Sequence, residues 1–253
     1  MTITRPFGRG SEGPRQTATK SSGEAVDAKF WIEKWEQQQI GFHLPTAHPM
    51  LARHWSALDV DRDAHVFVPL CGKSLDLIYL MSQGCHVTGV ELSPIAIRQF
   101  LDEQGLQAAT MEIEGVPVST VDGLWLIEGD FFRLSSQVIG RVDAVYDRAA
   151  LIAMPPDQQE RYAQQLLALT PISAPILLVT LDYDPSEMSG PPFATPADQV
   201  RRLFEGRYEV DLLEQVDALV DNLALQGRGL TGLTETAWRL RPRQASAEAD
   251  ILI

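Results

Sequence analysis

Four short stretches of this sequence combine residue types that can hold or polarise a small polar ligand. PLCGKS (residues 69–74) puts a glycine and small polar residues directly after a β-branched apolar run. A glycine there lets backbone approach a ligand, and a helix that follows offers unpaired N–H groups. Glu91 closes the next such run, where a carboxylate can accept both hydroxyls of a ribose. Gly129-Asp130-Phe131 follows a third run and can meet the edge and face of an adenine, and Asp147-Arg148 ends a fourth, with a guanidinium able to reach a carboxylate or polarise a substrate. Each has a plainer role as well: a turn and helix cap, a solvated acid, a turn with a core phenylalanine, and an ion pair between Asp147 and Arg148.

These groups matter together only if the fold gathers them. AHVFVPL (residues 64–70), HVTGVEL (86–92), LWLIEGD (124–130), VDAVYD (142–147) and PILLVTLDY (175–183) read as strands. Helical patterns cover residues 28–39, 49–58, 74–83, 94–105 and 157–169. Ser93 and Pro94 supply an N-cap and a first-turn proline. Residues 110–126 read as a hairpin insertion, while 208–216 and 234–241 form an antiparallel pair at one edge. Alternation of this kind predicts an α/β fold with a mostly parallel, doubly wound sheet and an antiparallel C-terminal edge. In such a sheet ligands bind beyond the carboxyl ends of the strands, where Gly72, Glu91, Asp130 and Arg148 all fall.

Composition narrows the function. With 45% hydrophobic and 22% charged residues the chain can bury a large core, and no apolar run reaches the roughly 20 residues that span a bilayer. A formal charge of -13 weighs against nucleic acid, whose phosphates are held by Lys/Arg stripes. Cys71 and Cys85 lack metal spacing, and His43, His48, His54, His65 and His86 are scattered, so no metal site is expected. Residues 1–25 are polar and aperiodic and read as a disordered extension; 26–243 read as one domain and 244–253 as a tail. The expected protein is a cytoplasmic monomer acting on a small molecule. PLCGKS is not a GxxxxGK[ST] phosphate loop, and a GxGxxG dinucleotide turn is absent.

FWIEKWEQQQIGFH (residues 30–43), residues 66–93, YDRAAL (146–151) and LDYDPSEMSGPPF (181–193) resemble, in order and spacing, the thiopurine S-methyltransferase family. The resemblance implies a class I, Rossmann-like methyltransferase fold that uses S-adenosylmethionine to methylate aromatic and heterocyclic thiols such as thiopurines, with selenium and tellurium compounds as further acceptors. Carried over by position, it implies cofactor contacts at Trp35, Leu70, Glu91, Asp130, Phe131 and Arg148, and a substrate-facing aromatic at Phe42. Arg148 becomes the catalytic candidate, stabilising an anionic sulfur or the ring nitrogen beside it. Trp35 is expected against the sulfonium and Trp31 in the core. Neither a dedicated base nor a metal is expected, since a thiolate is already a good nucleophile. The sequence departs from the family pattern at His48, usually Asn, at Cys85, usually Gly, and at Ser189, usually proline or histidine. Two other functions fit parts of the pattern: an NAD-dependent oxidoreductase, which would share Glu91 and the sheet, and a non-catalytic adenosyl-ligand binding protein.

Overall fold

The strand-forming runs are apolar at nearly every position, which suits a sheet covered on both faces. The computed structural model of the protein, which describes residues 27–243, arranges them in that way. The chain begins with α1 (Ala28–Glu36) and α2 (Pro49–His54), which continues as a 3-10 turn over Trp55–Leu58. It then alternates through β1 (His65–Val68), α3 (Asp76–Ser82), β2 (His86–Glu91) and α4 (Pro94–Glu103). A hairpin of β3 (Ala109–Ile113) and β4 (Val116–Val121) leads into β5 (Leu124–Glu128), α5 (Ser136–Ile139), β6 (Ala144–Arg148), α6 (Pro156–Leu169) and β7 (Ile176–Asp182). The chain closes with α7 (Ala197–Phe204), β8 (Tyr208–Asp217), α8 (Leu223–Gln226) and β9 (Thr234–Pro242).

All nine strands join one sheet in the order β3-β4-β5-β2-β1-β6-β7-β9-β8. The central five, β5-β2-β1-β6-β7, are parallel. From β1 the chain builds outward through β2 and β5, then returns to place β6 on the other flank of β1, so the order reverses between β1 and β6. β9 runs antiparallel to β7 and β8 antiparallel to β9, as the sequence predicts for this edge. At the opposite edge the β3–β4 hairpin extends the sheet through an antiparallel β4–β5 pairing. Its two-residue turn puts both Glu114 (φ 53°) and Gly115 (φ 77°) in the left-handed region, which matches the twist of a tight hairpin.

Neighbouring residues of a strand face opposite layers. Phe67, Val145, Ile176 and Leu178 pack with Tyr162 and Leu166 of α6 and with Val200 and Phe204 of α7. Val66, Val68, Tyr146, Leu177 and Val179 pack with Leu51 of α2, Leu77 and Leu80 of α3 and Phe100 of α4. Each large apolar side chain buried there contributes about 1.5–3 kcal/mol relative to exposure.

Several boundaries differ from the sequence-based expectation. The helix expected over residues 28–39 stops at Glu36, because Gln38 turns left-handed (φ 55°) and the Gln39 amide closes back on the Lys34 carbonyl. The helix expected from residue 74 starts at Asp76, since the Ser74 hydroxyl accepts the Asp76 amide at 3.1 Å instead of the helix beginning there. Ser93 is the N-cap residue of α4, but its side chain makes no capping bond. α7 was not anticipated. The readings of residues 1–25 and 244–253 lie outside the described residues. Among the described residues no helix is long and apolar enough to cross a membrane, and no group of three His, Cys, Asp or Glu side chains could hold a metal ion.

Candidate active site

A cavity of about 860 Å³ opens where the strand order reverses, and every site residue named from the sequence lines it: Trp35, Phe42, Leu70, Glu91, Asp130, Phe131 and Arg148. The loop after β1 provides the first wall. Leu70 (φ 48°) and Gly72 (φ 55°) are both left-handed, and a Cβ on Gly72 would lie 3.2 Å from Cζ2 of the Trp35 indole. The glycine therefore admits the Trp35 ring of α1. Its amide donates to Glu91 Oε2 at 2.9 Å.

Glu91 ends β2 and is 7% exposed. Its Oε1 accepts the Ser93 amide at 2.7 Å, so the carboxylate is held from both sides by backbone. Burial pushes its pKa up to about 7, against the pull of the Ser93, Gly72 and Leu92 amides. A carboxylate offers about four acceptor sites, so capacity remains for a diol. The Glu91 carbonyl also accepts the Gly129 amide at 2.9 Å, which fixes the next loop relative to this acid. There Asp130 Oδ1 caps a 3-10 turn through the Phe132 amide at 3.0 Å, and Phe131 stacks on Tyr162 with centroids 5.0 Å apart.

Asp147 and Arg148 take different paths. Asp147 is fully buried and accepts the Tyr162 hydroxyl at 2.7 Å and the Leu151 amide at 3.2 Å, and burial pushes its pKa up to about 6. It braces the turn after β6 and, through Tyr162, the ring of Phe131. Arg148 instead faces the cavity and donates from Nη1 to the Phe42 carbonyl at 3.1 Å. That bond ties the segment after α1 to the end of β6. Phe42 sits edge-to-face with Trp31 at 5.8 Å and Trp35 at 5.6 Å, forming a three-ring aromatic corner. Trp35 is the more deeply buried indole and Trp31 is only partly covered, though both reach the cavity wall.

The sequence reading missed other polar groups in this wall. Asp76 (2% exposed) accepts the His48 amide at 2.6 Å and the Tyr146 hydroxyl at 3.0 Å. Glu235 of β9 and Arg228 also line the cavity, the latter holding the Gly190 and Pro191 carbonyls at 3.2 and 2.6 Å. Asp76 stands just past PLCGKS, and its position was a usable signal; nothing near Arg228 or Glu235 in the sequence marks them. His43 also faces the cavity, and burial together with the Lys73 and Arg148 charges lowers its pKa. Cys71 is buried with its thiol pushed well up, in keeping with a structural role.

Comparison with known proteins places this architecture. Among solved structures, a methyltransferase described as S-adenosylmethionine-dependent from Anabaena variabilis superposes with a TM-score of 0.59 at 14% identity, over 90% of this chain and 99% of that one. The 1,6-didemethyltoxoflavin-N1-methyltransferase of Burkholderia thailandensis, solved with S-adenosylhomocysteine, gives 0.55 at 16% identity, over 91% and 93%. At these identities the likeness concerns the fold. Sequence relatives go further. The Thiopurine S-methyltransferase of Methylococcus capsulatus is 48% identical over 88% of this chain and 100% of its own length, and that of Nitrosospira multiformis is 43% identical over 86% and 99%. The model of the family described as Thiopurine S-methyltransferase (TPMT) matches residues 26–243, and with the cavity at the strand-order reversal this shows that the chain belongs to the thiopurine S-methyltransferase family.

Proposed function

We propose that this protein is an S-adenosylmethionine-dependent S-methyltransferase acting on aromatic and heterocyclic thiols of the thiopurine type, with selenium and tellurium compounds as further soft acceptors. The observation that carries the reading is the convergence of Glu91, the Trp35–Phe42 aromatic corner and Arg148 on one cavity. When bound, the cofactor supplies a methyl carbon on a positively charged sulfur.

The residues present fit that group. Glu91 is a buried acceptor with capacity for ribose hydroxyls, and its orientation is set by two amides before any ligand arrives. Phe131, held by Tyr162, offers an apolar face for a purine, and Asp130, whose Oδ1 is engaged by Phe132, keeps a second oxygen for its edge. Trp35 and Phe42 present electron-rich rings, which suit a cationic sulfur. Leu70 closes the apolar side of the pocket.

On the acceptor side Arg148 provides a fixed positive charge near where a thiolate binds, stabilising the anion without taking a proton from it. The aromatic corner excludes water, and positioning of the two reactants supplies most of the acceleration. No side chain is assigned the role of general base. The protein is proposed to work as a cytoplasmic monomer on diffusible acceptors, apart from nucleic acid, which its charge of -13 supports.

Family membership disfavours the oxidoreductase reading. Calorimetry with S-adenosylhomocysteine and NAD, paired with a radiolabelled methyl-transfer assay on an aromatic thiol, tests the proposal. Binding of the adenosyl ligand with transfer of label supports it; binding without transfer identifies a non-catalytic binding protein, and preference for NAD overturns it.

A further inference from the structure

The sheet register puts a carboxylate on the same face as Arg148, two strands away. Arg148 pairs with Val179 across β6–β7, and Leu181, two residues further along β7, pairs with Glu235 of β9. Cross-strand partners share a face, as do residues two apart in one strand, so Arg148 and Glu235 project from the same face of the sheet. Two strand spacings and two residues of rise separate their α-carbons by about 12 Å. Both side chains line the cavity.

Glu235 is also held in place. The Met50 amide donates to His48 Nδ1 at 3.3 Å, so that nitrogen carries no proton and the ring proton lies on Nε2. Nε2 then donates to Glu235 Oε1 at 3.1 Å. His48 is 4% exposed and its own amide is anchored on Asp76, so it has little freedom to turn away. Glu235 keeps 19% of its side chain exposed, with Oε2 as the acceptor left for a ligand.

We propose that Glu235 is a specificity-determining residue, positioned by His48, which accepts a hydrogen bond from a ring N–H of the acceptor heterocycle while its sulfur lies toward Arg148. The inference rests on the S-methyltransferase reading of this cavity and deepens it: it names, among thiols, those that retain a ring N–H after the sulfur has ionised. A buried acceptor facing an acceptor that lacks the matching donor is left unpaired, and such a mismatch discriminates more strongly than a change in apolar bulk.

Two thiols of nearly the same shape test this. 2-Mercaptobenzimidazole keeps one ring N–H as its thiolate, and 2-mercaptobenzothiazole has a ring sulfur in its place. Glu235→Gln still accepts from His48 but presents an amide NH₂ to the cavity. The ratio of kcat/KM for the benzimidazole over the benzothiazole should fall about ten- to hundredfold relative to wild type. Calorimetric binding of 2-mercaptobenzimidazole to the S-adenosylhomocysteine complex should weaken alongside it. Glu235→Asp, which withdraws the oxygen by one methylene, gives the same direction and serves if the first variant does not fold. An unchanged ratio, whether both thiols fall together or neither falls, overturns the inference while leaving the S-methyltransferase reading intact. Failure of the wild type to methylate either thiol overturns that reading, and this inference with it.

Discussion

Gly72 and Glu91 form one unit: the glycine amide donates to the Glu91 carboxylate at 2.9 Å, so the turn after β1 aims the acid that ends β2. The acid is thereby oriented before a ligand enters. Glu91→Ala should weaken S-adenosylhomocysteine binding at least tenfold, since a charged acceptor for two hydroxyls is lost. Isothermal calorimetry reads this directly, and an unchanged affinity would remove Glu91 from the site.

Gly72→Ala tests the same unit from the other side. The added methyl would sit 3.2 Å from the Trp35 ring at a φ of 55°, so backbone strain and a tight contact coincide. A loss of about 1–2 kcal/mol in urea unfolding is expected, with weaker cofactor binding because Trp35 must shift.

The raised pKa values give stability a definite pH dependence. Glu91, at about 7 against an ordinary 4.5, and Asp147, at about 6 against 3.8, hold their protons more tightly when folded than when unfolded. Their contribution is therefore fully present below the unfolded values and is lost as pH rises through the folded ones, by about 1.4 kcal/mol per pH unit for each group between its two values. Unfolding midpoints in urea should fall from about pH 4 to about pH 7, and Glu91→Gln should flatten the upper part of that slope. A wild-type midpoint that rises across this range would contradict the assignment.

Tyr162→Phe deletes the hydroxyl that donates to buried Asp147 at 2.7 Å. The carboxylate loses a partner it cannot replace with water, and a destabilisation of about 1–3 kcal/mol follows. Because Tyr162 also carries Phe131, KM for S-adenosylmethionine should rise in the same variant. Equilibrium unfolding and steady-state kinetics separate the two effects.

Arg148→Ala should lower kcat/KM for an aromatic thiol about 10- to 1000-fold, through loss of the charge near the anionic sulfur. Arg148→Lys keeps the charge but not the planar fork that reaches the Phe42 carbonyl, so it should recover only part of the activity. If Arg148→Ala leaves both cofactor affinity and turnover unaltered, the residue has no part in either.

Much of this arrangement was legible beforehand because its signals are local. Runs such as VFV and LLV are apolar on both faces, and the groups that follow them fall at strand ends. The parallel core and the cavity positions of Glu91, Asp130 and Arg148 follow from that pattern. α7 had a signal too, with Pro196 at its N-cap and Val200 and Phe204 four apart, but it is short and lies between irregular segments. The His48–Glu235 bond spans 187 residues, and no local pattern announces such a contact. Asp147 was weighed as a partner for Arg148, yet residues adjacent in a strand point to opposite faces, which sends one into the core and the other into the cavity.

The left-handed backbone at Leu70 and Ala149, φ 48° and 65°, flanks the reversal of the sheet on both sides. Non-glycine residues in that region cost of order 1 kcal/mol each, so the crevice carries conformational energy that the surrounding core must offset. Glycine at Leu70 would relieve some of it and give up the side chain that lines the pocket. The fold thus gives up stability to keep shape where the ligand sits, and substitutions that only stabilise these two turns are expected to be poor substitutes for the residues found there.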